Sequence, residues 1–111
     1  MHELGLAEDI LRKIKEEART RNLSKVSFAG LMIGETLVSD RPELEQLFSM
    51  ISTGTLADGA TLGITISPLK AFCGTCKKEF NPTVIRFDCP NCGSRDIKIT
   101  SGNELKVEEL K

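Results

Sequence analysis

The sequence predicts an α+β fold: two helices packed on a three-stranded sheet, with a small cysteine-bearing subdomain inserted before the last strand. Three observations predict it. Two stretches repeat apolar residues at spacings of three and four, as a helix does. Three others are short and apolar or alternating, as strands are. Between the last two strands lies a segment with all four cysteines, two of the four prolines and little aliphatic core.

The first helix is carried by Leu4, Ala7, Leu11, Ile14 and Ala18, a single stripe that Ile10 widens. Arg12, Lys13, Lys15, Glu16 and Glu17 cover the opposite face, a solvated charge run. The pattern fades at Asn22, a helix stop. From Lys25 the period changes. In VSFAGLMIG, Ala29, Leu31 and Ile33 fall on one side and Phe28, Gly30 and Met32 on the other, and Gly34 ends the strand. The second helix lies in SDRPELEQLFSMI, with Ser39 or Asp40 as N-cap and Pro42 inside the first turn. Leu44, Leu47, Phe48 and Ile51 give it an apolar face, and Gly54 is its expected C′ residue. ATLGITIS alternates, with Leu62, Ile64 and Ile66 inward and Thr61, Gly63 and Thr65 outward, until Pro68 breaks it. After Gly102 the chain resumes as NELKVEELK, in which Leu105, Val107 and Glu109 alternate with polar residues. An isolated pair of strands is marginal, so this last stretch is expected to join the two earlier strands. The chain then divides into a discontinuous α+β domain, residues 1–70 plus 101–111, and a subdomain of residues 71–100.

Composition restricts the function. The formal charge is −1 over 111 residues and the pI is about 5.9, so no field draws the chain to nucleic acid or to an anionic membrane. No apolar run approaches the roughly 20 residues of a membrane span. Glu3, Glu8 and Asp9 interrupt the start, so no secretory signal is read there. The expected compartment is the cytoplasm, where thiols stay reduced.

Four cysteines there need a use other than cross-linking. Cys73 and Cys76 form one C-x-x-C and Cys89 and Cys92 a second, within CGTCKKEFNPTVIRFDCPNCG. Each pair makes a tight knuckle, with Gly74 and Gly93 as its flexible positions. Two facing knuckles offer four thiolates in a tetrahedron, which suits structural zinc and leaves no place for water or substrate. The inserted segment is therefore a zinc-ribbon subdomain. A rubredoxin-type iron site uses the same ligands. A thioredoxin-type motif needs one reactive pair at a helix start, and here two matched pairs sit among turns. Zinc ribbons often bind nucleic acid, but Lys77, Lys78, Arg86 and Arg95 are offset by Glu79, Asp88 and Asp96. Phe72, Phe80 and Phe87 are the only aromatic residues in the segment. A nucleic-acid- or protein-binding ribbon module is the alternative reading of the chain.

A closed zinc site explains no activity. The only histidine is His2, in the opening MHEL. The Met1 amine, the His2 amide nitrogen and the His2 imidazole can close fused chelate rings in one plane. Planar nitrogen coordination suits Ni(II) or Cu(II) and is poor for zinc. Glu3 can add its carboxylate or its backbone nitrogen. The simpler reading is a solvated terminal histidine.

The whole chain tips that balance. MHELGLAEDIL, the strand end Ile33-Gly34-Glu35, GTLADGATL, the paired C-x-x-C and ITSGNELKV together resemble the HypA family from end to end, most specifically in MHE, the cysteine spacing and Ser101 to Leu105. The resemblance implies a nickel metallochaperone for nickel–iron hydrogenase maturation. It implies Ni(II) as transient cargo on His2, with Glu3 and the terminal backbone assisting, and Zn(II) on Cys73, Cys76, Cys89 and Cys92. It implies the GTPase HypB and the hydrogenase large subunit as partners, while a homodimer stays open. Some relatives use a further histidine from the ribbon side, which this chain lacks, so its fourth nickel position is open. A metalloenzyme would need an open metal position beside a general base, and no such pair is recognisable, so no enzymatic activity is expected.

Overall fold

The computed structural model describes residues 2–82 and 88–111. The first apolar stripe forms α1 (His2–Thr20). Its buried line runs through Ala7, Ile10 and Ile14, each fully covered, with Leu6 and Leu11 beside them. Leu4, expected in that line, is only half-buried, and Leu6 takes its place. The helix ends in a Schellman arrangement: Leu23 N–H reaches Ala18 O at 2.8 Å and Asn22 N–H reaches Arg19 O at 3.2 Å. Asn22 adopts φ 58°, so the expected stop is a left-handed C-cap.

The strand β1 (Phe28–Gly34) is the centre of the main sheet. The second helix, α2 (Arg41–Ile51), is capped by Asp40, whose side chain accepts from the backbone N–H of Glu43. Gly54, expected directly after the helix as C′, comes one residue later, because Ser52 is the C-cap. This helix is the crossover to β2 (Thr61–Ser67), which pairs parallel with β1, as such a connection requires. The last stretch, named β6 (Leu105–Leu110) because three short strands precede it, pairs antiparallel with β1 on its other side. The order is β2-β1-β6, the expected three-stranded sheet.

This sheet departs from simple alternation at the end of β2 and within β6. Ile66 shares a face with buried Ile33 yet is 40% exposed, because it lies near the end of an outer strand. In β6, Gly30 pairs with Glu109 but Leu31 pairs with Val107, so Glu108 is an extra residue in a bulge. The bulge shifts the period by one. Leu110 is therefore buried in the core instead of the expected Glu109.

The cysteine segment carries its own sheet. The strands β3 (Lys70–Cys73), β4 (Glu79–Phe80) and β5 (Ile97–Ser101) run in the order β4-β3-β5, both pairs antiparallel. The segments that join this sheet to the main one lie side by side. Ser101 Oγ donates to Pro68 O at 2.7 Å. Glu35 Oε1 accepts from Leu69 N–H at 2.7 Å. Thr36 reaches Gly102 O through both its N–H and its hydroxyl. Thus the Ile33-Gly34-Glu35 and Ser101–Leu105 segments, separate in sequence, are the two halves of one junction.

Glu104 closes this junction by accepting from Gly102 N–H at 2.9 Å. That bond first, and the Ser67 hydroxyl next, hold its carboxyl below the usual range. A depressed carboxylate pKa contributes stability that is present above the usual range and lost as pH falls through the lowered value. Glu104→Gln is therefore expected to be less stable than the parent at about pH 7, with a smaller gap at about pH 3, where more of the carboxylate is protonated. Urea midpoints at both pH values check this, and an equal gap at both would remove the role assigned to the carboxylate.

Candidate metal centres

The two C-x-x-C pairs fold into matching knuckles. Lys77 N–H bonds to Cys73 O at 2.9 Å and Gly93 N–H to Cys89 O at 2.8 Å. Each of these closing residues has positive φ, 59° at Lys77 and 75° at Gly93. Gly93 is thus the flexible position expected of it, whereas in the first knuckle that position is Lys77. Gly74 serves another need: a Cβ there would lie 2.3 Å from Asp96 Oδ2.

The knuckles bring all four sulfurs within 4.8 Å of one another. Cys73 and Cys92 approach to 3.6 Å, as do Cys76 and Cys89. A tetrahedron with metal–sulfur bonds of about 2.3 Å has sulfurs roughly 3.8 Å apart, so the donor set fits a four-thiolate metal ion. Without a cation the thiols share protons unequally. The N–H of Cys76, more than any other neighbour, lowers Cys73 to about 6. At Cys92 the N–H of Ser94 also pulls down, but burial and the neighbouring thiols outweigh it and raise the group to about 12. Such a cluster favours a bound cation, which replaces the competition for protons.

His2 and Glu3 are held more firmly than residues of a loose end would be. His2 opens α1, with its side chain 56% exposed. Its Nε2 bonds to Leu37 O. A carbonyl oxygen only accepts, so Nε2 is the donor, and in the neutral imidazole this leaves Nδ1 with its lone pair. Glu3 is buried, at 3% exposure. Its Oε1 accepts from Ser39 N–H at 3.2 Å and from Ser39 Oγ at 2.7 Å, and it lies 3.7 Å from His2 Nε2. Its Oε2 is buried with no hydrogen-bond partner among the described residues. Sequence reasoning placed His2 and Glu3 together but missed Leu37 and Ser39. The only signal was the double N-cap candidate: with Asp40 capping α2, Ser39 is spare. The Met1 amine, expected as a further ligand, lies outside the described residues, as do Arg86 and Phe87.

The fold and the cysteine cluster define a small α+β metal-binding protein. Comparison with known proteins specifies it. A family model described as "Hydrogenase/urease nickel incorporation, metallochaperone, hypA" matches residues 1–111, and the chain belongs to that HypA family. The hydrogenase maturation factor HypA of Acidithiobacillus ferrooxidans is 38% identical over 111 residues, covering 99% of this chain and 97% of its own. That of Azotobacter vinelandii is 36% identical over 114 residues, with the same two coverages of 99% and 97%. The solution structure of the Ni metallochaperone HypA from Helicobacter pylori superposes with a TM-score of 0.73 at 25% identity, over 100% of this chain and 97% of that one. Family and fold together make this a nickel metallochaperone of hydrogenase maturation. No helix among the described residues is long and apolar enough to cross a membrane.

Proposed function

We propose that the chain binds Ni(II) at its N-terminus through His2, Glu3 and Met1 and delivers it for hydrogenase maturation, without catalysing a reaction itself. One observation carries the siting. The first turn of α1 holds a buried carboxylate with one oxygen unpartnered among the described residues, beside a histidine whose Nε2 is already engaged. An unpaired buried carboxylate oxygen is costly, and a cation relieves that cost. The backbone N–H groups of a helix's first turn have no intrahelical acceptor. Hence the amide nitrogens of His2 and Glu3 can take part in binding without breaking helical hydrogen bonds. His2 Nδ1 then closes a chelate ring with its own amide nitrogen, while Leu37 O holds the ring in the required tautomer.

In the same reading, Cys73, Cys76, Cys89 and Cys92 hold Zn(II) as a structural ion, and residues 71–100 form a subdomain distinct from residues 1–70 plus 101–111. The family's role supports hydrogenase-related partners, here the GTPase HypB and the hydrogenase large subunit, and a cytoplasmic setting. The test is to titrate nickel into protein beginning at Met1, into the same protein extended by Gly-Ser, and into His2→Ala, following the absorbance of planar nickel. His2→Ala is expected to lose nickel binding with zinc content unchanged and stability within about 0.5 kcal/mol. The extension converts the Met1 amine to an amide and is expected to weaken binding. Undiminished affinity in His2→Ala would remove the N-terminal site, and equal affinity after extension would remove Met1 from it.

A further inference from the structure

Glu3 is 3% exposed, although it stands at the second residue of a helix, where an acidic side chain gains from the dipole in full solvent as well. Its burial has a specific cause. Two donors of one residue, Ser39 N–H and Ser39 Oγ, converge on Oε1 across 36 positions of sequence. Those donors are not shared with a helix cap, since Asp40 fills that role for α2. Ser39 itself is exposed, so its hydroxyl had water available and instead holds Glu3. The result is an asymmetric carboxylate: Oε1 is saturated and Oε2 has no hydrogen-bond partner among the described residues. The same short loop also receives His2, through Leu37 O.

We infer that Ser39 is a positioning residue for nickel binding, fixing Glu3 by Oε1 so that Oε2 stays free for the ion beside His2. The inference rests on the N-terminal nickel site proposed above. A carboxylate tethered by one oxygen cannot rotate freely or turn to solvent, so less order has to be imposed when the ion arrives. Outer hydrogen bonds of this kind typically change metal affinity by about 10- to 100-fold.

The test uses full-length, zinc-loaded protein beginning at Met1 and calorimetric titration with nickel sulfate. Ser39→Ala is expected to weaken nickel binding by at least about tenfold, with zinc content unchanged. Ser39→Thr keeps both donors and is expected to restore affinity to within about threefold of the parent. A purely structural role for Ser39 would not depend on Glu3, so the double variant is informative. In a Glu3→Ala background, which removes the acceptor, Ser39→Ala is expected to change nickel affinity by less than about twofold. Parent-like affinity in Ser39→Ala, with binding lost in His2→Ala, would overturn the role of Ser39 and leave the N-terminal site standing. Parent-like affinity in His2→Ala would overturn that site and the inference with it. Equal weakening by Ser39→Ala in the parent and Glu3→Ala backgrounds would also overturn it, since Ser39 would then not act through Glu3.

Discussion

Cys73→Ser is expected to lose stoichiometric zinc and to unfold the small sheet. Cys73 is both one of the four clustered sulfurs and a strand residue: it ends β3, pairs with Ile97 of β5 and is fully buried. A structural zinc ion contributes about 10–16 kcal/mol of apparent binding in small zinc-dependent folds. If four thiolates share that equally, losing one costs about 2.5–4 kcal/mol, or roughly 60- to 700-fold in zinc affinity. The small sheet lies apart from the cluster of Ile10, Ile14, Leu31, Ile33, Leu44 and Phe48 that forms the main core, so it has little else to order it. Elemental analysis should therefore show well under one zinc per chain. Hydrogen exchange should show protection lost in residues 70–73 and 97–101 and retained in α1 and β1. Zinc retained at one per chain would contradict this assignment of the site.

Gly102→Ala is expected to be the most destabilising of the glycine-to-alanine changes. Gly102 has φ +100°, and a Cβ there would lie 2.4 Å from Leu69 Cα and 2.8 Å from Leu69 N. The obstructing atoms are backbone, and Leu69 N–H is held by Glu35, so the neighbour cannot rotate away. Opposite, a Cβ at Gly34 would lie 2.3 Å from both C and O of Gly102, so relief in that direction is blocked too. Unfavourable φ costs on the order of 1–3 kcal/mol, and forced overpacking a further 1–3 kcal/mol. A loss of about 3 kcal/mol in chemical denaturation is expected, together with weaker amide protection at Leu69 and Thr36. A loss below about 0.5 kcal/mol, the scale of an ordinary surface change, would mean that the junction yields easily.

Much of this was legible in the sequence because periodicity reports directly on burial. The stripes of α1 and α2 and the alternation of β2 locate both helices and the sheet. The paired C-x-x-C locates the four sulfurs, since each knuckle is closed by local backbone bonds. What escaped depends on contacts between distant segments. The bulge at Glu108 arises where β6 passes Gly30 of another strand, so alternation within β6 alone selected Glu109 over Leu110. Glu3 reads as one more charge on a helix whose exposed face is rich in them, and its burial is decided by a loop residue 36 positions away. Ser39 and Asp40 are equally good N-caps by chemistry, and only the assembled loop shows which one caps α2. The individual strands of the cysteine segment were not read because none is longer than five residues, too short for alternation to register.

The contact between Pro68 and Ser101 also has a consequence in polymer terms. Everything between those residues is a loop whose ends are already pinned together by the main sheet. The entropy of closing such a loop rises only logarithmically, by about 0.6 kcal/mol for each doubling of its length. The intervening chain can therefore grow by insertion, shorten by deletion or melt when its metal is stripped, at little thermodynamic cost to the strands that anchor it. β6 still arrives beside β1 with the same register, because its approach is set at the crossing point and not by what the chain does beyond it.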